Sequence, residues 1–276
     1  MITSRDNSLV KRARAVRDGK LREQIFIEGL RLCEEAEQDL RVDDITDVIY
    51  SERIAEDARG VALLNSLQER GRNISLVSRA VFASISDTKT PQGIVLLASR
   101  PETSQEIFLE SSGENSLLLI LHKINNPSNA GAILRTAEAA GATGVILTQG
   151  STDIFSPKAL RGAMGSTFRL RLWTGASFSE AINFCQERGI RSICAELHAA
   201  RAHTEVDWTK ACALVVGSEA TGLNPSEIAA TDDSLRIPMR PPVESLNVAV
   251  ATGIVLYEAA RQREVGSGQL AVGSKL

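Results

Sequence analysis

Three segments of the chain gather glycine, proline, asparagine and isolated charged residues at spacings that could do chemistry. The first runs His122-Lys123-Ile124-Asn125-Asn126-Pro127-Ser128-Asn129-Ala130-Gly131-Ala132-Ile133-Leu134-Arg135-Thr136. The second is Gly217-Ser218-Glu219-Ala220-Thr221-Gly222-Leu223, and the third is Pro238-Met239-Arg240-Pro241-Pro242-Val243-Glu244-Ser245-Leu246-Asn247. None holds the G-x-G-x-x-G fingerprint, a Walker A sequence or a G-x-S-x-G elbow, which argues against a nicotinamide enzyme, a P-loop NTPase and a serine hydrolase. Glycines that expose backbone, rigid prolines and few charges suit an uncharged ring held by main-chain N–H and C=O groups better than a triphosphate.

The elements around these segments fix where they stand. Each follows an apolar run: Leu117–Leu121, Ala213–Val216 and Ser234–Ile237. Further strand candidates are Gly144–Leu147, Phe168–Leu172 and Ile190–Cys194. Continuous apolar strands alternating with helices predict an α/β fold, a parallel sheet with helices on both faces. In such a sheet ligands bind outside the carboxyl ends of the strands, where all three segments fall. A helix over 128–140 sets Ala130, Ile133, Leu134 and Ala137 on one core-facing stripe. The helix from Val248 to Arg261 is apolar almost all round, which predicts burial in a core or across a subunit contact.

Residues 1–100 read as a smaller α/β unit, with a basic helix near 8–19, a strand at Gln24–Glu28, a helix from Leu30, and strands at Asp47–Tyr50 and Gly93–Leu97. The polar stretch 101–115 reads as a linker, 116–262 as the second domain and 263–276 as a disordered tail. The first 25 residues carry a net charge of +4, so their helix could sit against phosphates or simply present a solvated basic face. The chain has 276 residues, 24% of them charged and 43% apolar, enough for two modest cores. It shows no signal-peptide pattern and no apolar run long enough to span a bilayer. Cys33, Cys185, Cys194 and Cys212 form no C-x-x-C pair, and the three histidines have no ligand spacing. Reduced thiols in a cytoplasmic protein, without a metal and away from membranes, are therefore expected.

The three segments resemble, in order and spacing, the signature motifs of the SpoU (TrmH) family of SPOUT-class RNA methyltransferases. The first offers Asn-Pro-x-Asn-x-Gly-x-x-x-Arg-Thr-Ala, the second Gly-x-Glu-x-x-Gly-Leu, and the third Ile-Pro-Met followed by Glu-Ser-Leu-Asn-Val and Tyr-Glu. This likeness spans residues 116–262. Phe26-Ile27-Glu28-Gly29 with Cys33-Glu34-Glu35-Ala36 is similar to the substrate-binding domain of ribosomal-protein L30e type that many members carry. The resemblance implies a C-terminal trefoil knot, a homodimer, S-adenosylmethionine as cofactor, and methylation of a ribose 2′-hydroxyl in structured RNA, ribosomal RNA before transfer RNA. It also implies that Gly217, Ile237, Met239 and Leu246 surround the adenosine. Asn129, Arg135, Glu219, Ser245 and Asn247 would surround the reaction centre. Two departures stand out: Asn126 precedes Pro127 where an acidic residue is common, and Gly162-Ala163 replaces a small hydroxyl residue in Lys158–Ser166.

A ribose hydroxyl is a weak nucleophile, so a site of this kind must orient in-line attack and help to remove a proton. The family proposal gives Arg135 that task, but a guanidinium pKa above about 12 fits a phosphate anchor better than a base. Asn129, Ser245 and Asn247 offer neutral hydrogen bonds, and Glu219 could pair with Arg135. Taken singly, these residues have plainer readings: Arg135 paired with Glu138 on a helix face, and Ser128, Asn129, Ser245 or Asn247 as helix caps. A non-catalytic RNA-binding protein on the same fold is the competing function.

Overall fold

The computed structural model describes residues 1–109 and 115–267. In chain order the elements are α1 (Ser8–Arg17), β1 (Gln24–Glu28), α2 (Leu30–Asp39), β2 (Ile45–Tyr50), α3 (Ala58–Glu69), β3 (Ile74–Leu76), α4 (Arg79–Ile85) and β4 (Ile94–Ser99). Then come α5 (Gln105–Leu109), β5 (Leu117–Leu121), α6 (Pro127–Ala139), β6 (Gly144–Thr148), α7 (Pro157–Ala163), α8 (Ser166–Arg169) and β7 (Leu172–Ala176). The chain continues with α9 (Phe178–Glu187), β8 (Arg191–Ala195), β9 (Cys212–Val216), α10 (Pro225–Ala229), β10 (Asp233–Leu235) and α11 (Val248–Ser267). These form two compact units: 1–102 with 153–169, and 103–152 with 170–276.

The first unit is built on a mixed sheet of order β1-β4-β2-β3, with β4 antiparallel to both of its neighbours and β3 parallel to β2. Helix α1 turns Val10, Ala13 and Val16 toward Phe26, Ile49, Phe82, Val95 and Leu97. Its basic side is largely engaged: Arg12 pairs with Asp47, and Arg14 donates to the Arg5 carbonyl. Arg17 donates to the carbonyls of Ser84, Ile85 and Ser86 at 3.1, 3.2 and 3.3 Å, closing the end of α4. Residues 153–169 are fastened within this unit by charge-assisted bonds. Arg100 grips Asp153 at 3.0 and 2.7 Å, Arg161 meets Asp87 at 2.6 Å, and Arg169 meets Glu35 at 2.7 Å.

The second unit holds an all-parallel, six-stranded sheet of order β10-β8-β9-β5-β6-β7. The expected α/β architecture is therefore present, and every residue of β5 is fully buried, as a central strand covered on both faces requires. The strand expected at Phe168–Leu172 is displaced. Met164 and Gly165 adopt left-handed backbone (φ 48° and 93°), the chain coils into α8, and β7 starts only at Leu172. Within 101–115, read from sequence as linker, Phe108 of α5 is fully buried and packs edge-on against Phe184 at 5.4 Å. The tail read from 263 overlaps α11, which continues to Ser267; residues 268–276 lie outside the described part.

Candidate active site

The first loop leaves β5 through His122 and Lys123. Lys123 takes a left-handed backbone (φ 55°), uncommon for a residue with a side chain, and its N–H donates to Thr148 Oγ1 at 3.2 Å. The buried His122 ring sits between Thr148 Oγ1 (Nδ1, 3.0 Å) and Glu227 Oε1 of α10 (Nε2, 2.9 Å), with the edge of Phe178 against it. Burial pulls its pKa below the ordinary value, Lys123 acts the same way and Glu227 opposes them. The ring is neutral near pH 7, and Nε2, facing a carboxylate that can only accept, carries the proton.

Beyond this anchor Asn126 caps α6, its Oδ1 accepting from Ser128 N at 2.9 Å, with Pro127 in the first turn. The cap is thus Asn126, which leaves Asn129 free for other bonds. Glu219, from the loop after β9, accepts from Asn125 N and Asn126 N at 3.1 Å each and from Asn129 Nδ2 at 3.3 Å. Desolvation alone would raise the Glu219 pKa, but these N–H groups hold it below the usual carboxylate value. Asn247 completes the bridge. Its Nδ2 donates to Asn129 Oδ1 at 3.2 Å, while its Oδ1 accepts from Ala249 N at 2.9 Å and so caps α11. One set of hydrogen bonds therefore joins all three segments.

Beside it opens a cleft of about 470 Å³, within the range of small-molecule sites. Of the expected residues, Glu219, Ile237, Met239, Ser245 and Leu246 line it. Gly217 lies buried beneath the turn 218–222; a Cβ there would stand 2.4 Å from the Gly222 carbonyl carbon, so only glycine lets the turn close. Asn129 and Asn247 reach the cleft through Glu219 rather than lining it. Arg135 is exposed on α6, about 9 Å along the helix from Asn129, with no hydrogen-bond or ion-pair partner among the described residues. Neither the Glu138 pairing nor the Glu219 pairing read from sequence forms.

The sequence reading missed a fourth strand end. Glu196, Leu197 and His198, directly after β8, line the same cleft, as do Thr221 and Leu223. The signal was present, since Ile190–Cys194 reads as a strand and ligands collect at strand carboxyl ends. Among the described residues no group of His, Cys, Asp and Glu is arranged to hold a metal, and no helix is long and apolar enough to cross a membrane.

Similar proteins are known for both parts of the chain. The family model described as the SpoU rRNA methylase family matches residues 116–257. The model described as RNA 2′-O ribose methyltransferase substrate binding matches residues 26–104. An uncharacterized tRNA/rRNA methyltransferase of Synechocystis is 32% identical over 96% of this chain and 95% of its own. A 23S rRNA (guanosine-2′-O-)-methyltransferase of Escherichia coli is 33% identical over 75% of this chain and 87% of its own. The AdoMet-bound rRNA methyltransferase of Sinorhizobium meliloti, a crystal structure, matches with a TM-score of 0.82 at 28% identity, covering 94% of this chain and 97% of that one.

Proposed function

The chain belongs to the SpoU rRNA methylase family, and we propose on that footing that it transfers a methyl group from S-adenosylmethionine to a ribose 2′-hydroxyl of ribosomal RNA. The observation that carries this reading is the convergence of three sequence-distant loops on one cleft, with Glu219 tying Asn125, Asn126 and Asn129 together and Asn247 bonded to Asn129. A largely apolar cleft of about 470 Å³ over a closely packed glycine turn fits a nucleoside-sized group.

Bound there, S-adenosylmethionine would supply a methyl group already activated on a sulfonium. Ile237, Met239 and Leu246 line the cleft and would flank the adenosine and exclude water from it, while Gly217 would keep the 218–222 turn close enough for main-chain contact. Glu219 fixes the entrance to α6 and keeps the Asn129 amide aimed, and Ser245 and Asn247 offer uncharged hydrogen bonds for the incoming ribose. Arg135, exposed and without a partner among the described residues, offers a planar two-pronged grip to a phosphate beside that ribose, which would hold the hydroxyl in line for attack. Its high pKa makes it a poor base, so its contribution is orientation and charge.

The reading extends to the assembly. Val250, Ile254 and Tyr257, at helical spacing on α11, are 53%, 36% and 56% exposed, an apolar stripe suited to a second copy of the chain. The homodimer and the C-terminal trefoil knot belong to this proposal, and a ribosomal RNA substrate carries with it a cytoplasmic location. The test is methyl transfer to unmodified ribosomal RNA, with modified positions mapped by their resistance to alkaline cleavage. We expect protection at a defined ribose. Cofactor binding without transfer, or transfer to a base, overturns the reading.

A further inference from the structure

The cleft contains two carboxylates in very different situations. Glu219 is engaged by three N–H donors of its own protein. Glu196, the first residue past β8, has its backbone fixed by a 2.9 Å bond from its N–H to the Leu235 carbonyl and lines the cleft. The residue is part-buried, and its carboxylate has no hydrogen-bond or ion-pair partner among the described residues. The same lining combines apolar Leu223, Ile228 and Leu235 with polar His198, Ser218 and Thr221. A carboxylate on a cleft wall without a protein partner is free to accept hydrogen bonds from a bound ligand.

Building on the cofactor reading above, we infer that Glu196 is a specificity residue that accepts hydrogen bonds from the vicinal hydroxyls of the cofactor's ribose. The chemistry selects that partner. A carboxylate only accepts and presents two oxygens, which matches two adjacent O–H donors. The adenine edge sets an acceptor beside its amine and would meet a carboxylate half in repulsion, and the cofactor's own carboxylate is excluded by charge. Position agrees: β8 neighbours β9 on the side away from β5, so Glu196 follows a strand on the other side of β9 from the β5–α6 segment that carries Asn129 and Arg135. It therefore faces a part of the cofactor that binds without reacting.

The test is calorimetric binding of three probes: S-adenosylmethionine, 5′-methylthioadenosine, which lacks the amino-acid end, and its 2′-deoxy analogue. For the wild-type chain the deoxy analogue should bind about 10-fold more weakly than methylthioadenosine, the loss of one charge-assisted bond. Glu196→Ala should weaken S-adenosylmethionine and methylthioadenosine alike by about 10-fold or more and should no longer discriminate against the deoxy analogue. Glu196→Gln, nearly isosteric, should weaken both by a smaller factor, and unliganded melting of both variants should match wild type because no internal bond is lost. Loss for S-adenosylmethionine alone would assign Glu196 to the ammonium and overturn the inference, as would unchanged affinities or a discrimination that survives in the variants. Failure of the wild-type chain to bind either natural probe would overturn the cofactor reading itself.

Discussion

Arg135 and Asn129 lie on the same helix, yet they stand in opposite chemical states. The asparagine is bonded on both sides, to Glu219 and Asn247, while the exposed guanidinium has no partner among the described residues. That contrast separates holding the site from acting on the RNA. Arg135→Ala should leave melting and S-adenosylmethionine affinity unchanged and lower single-turnover methyl transfer by about 100-fold or more. Arg135→Lys should fail almost as badly, because an ammonium keeps the charge but not the fork. Near-wild-type rates would return Arg135 to the helix surface. His122 gives a prediction of a different sign from most histidines. Its pKa is depressed in the fold by burial, so the unfolded chain binds the proton more readily and stability must decline as pH falls below about 6.5. Melting temperature followed from pH 8 to pH 5 should drop more for wild type than for His122→Gln; parallel curves would remove His122 from that titration.

At the scale of elements, α1 puts part of its charge to structural use. Its arginines look like a nucleic-acid face in sequence, but Arg12 neutralises Asp47 and Arg17 caps the last carbonyls of α4. The cap also meets the negative end of a helix dipole. Arg17→Ala should cost about 1–2 kcal/mol and lower the melting temperature by at least roughly 4 °C, with S-adenosylmethionine affinity unaffected. A wild-type melt would show that the cap contributes nothing. Helix α11 reads from sequence as apolar almost all round, and the fold divides it: Thr252, Val255, Leu256 and Ala259 turn inward, while Val250, Ile254 and Tyr257 remain exposed. Sequence alone could not separate these faces, because nearly every position carries an apolar side chain.

For the whole molecule, that exposed stripe decides the expected assembly. Sedimentation at micromolar concentration should report a dimer, and Val250→Asp with Ile254→Asp should yield a folded monomer, since charges cannot be buried unpaired in an apolar contact. A monomeric wild type would sink the homodimer. The partition of the chain also departs from its order in sequence: residues 153–169, which fall inside the span matched by the methylase family model, pack as part of the first unit. Ion pairs from Arg100, Arg161 and Arg169 join the segment to that unit, and none of them is visible as a local pattern, because each joins positions at least 53 residues apart.

What the sequence determined by itself was local or periodic. The run Leu117–Leu121 was a buried strand because five consecutive apolar residues admit little else between turn signals. The three loops were recognisable because their glycine, proline and asparagine spacings resemble the family's motifs in order and type. Tertiary structure decided everything that required two distant segments to meet. It moved β7 past Leu170, because left-handed Met164 and Gly165 coil the chain first. It gave Asn126 rather than Asn129 the capping role, leaving Asn129 to bridge Glu219 and Asn247. It also brought Glu196 to the cleft, since an acidic residue after a strand becomes part of a site only when the neighbouring strand ends fold up beside it.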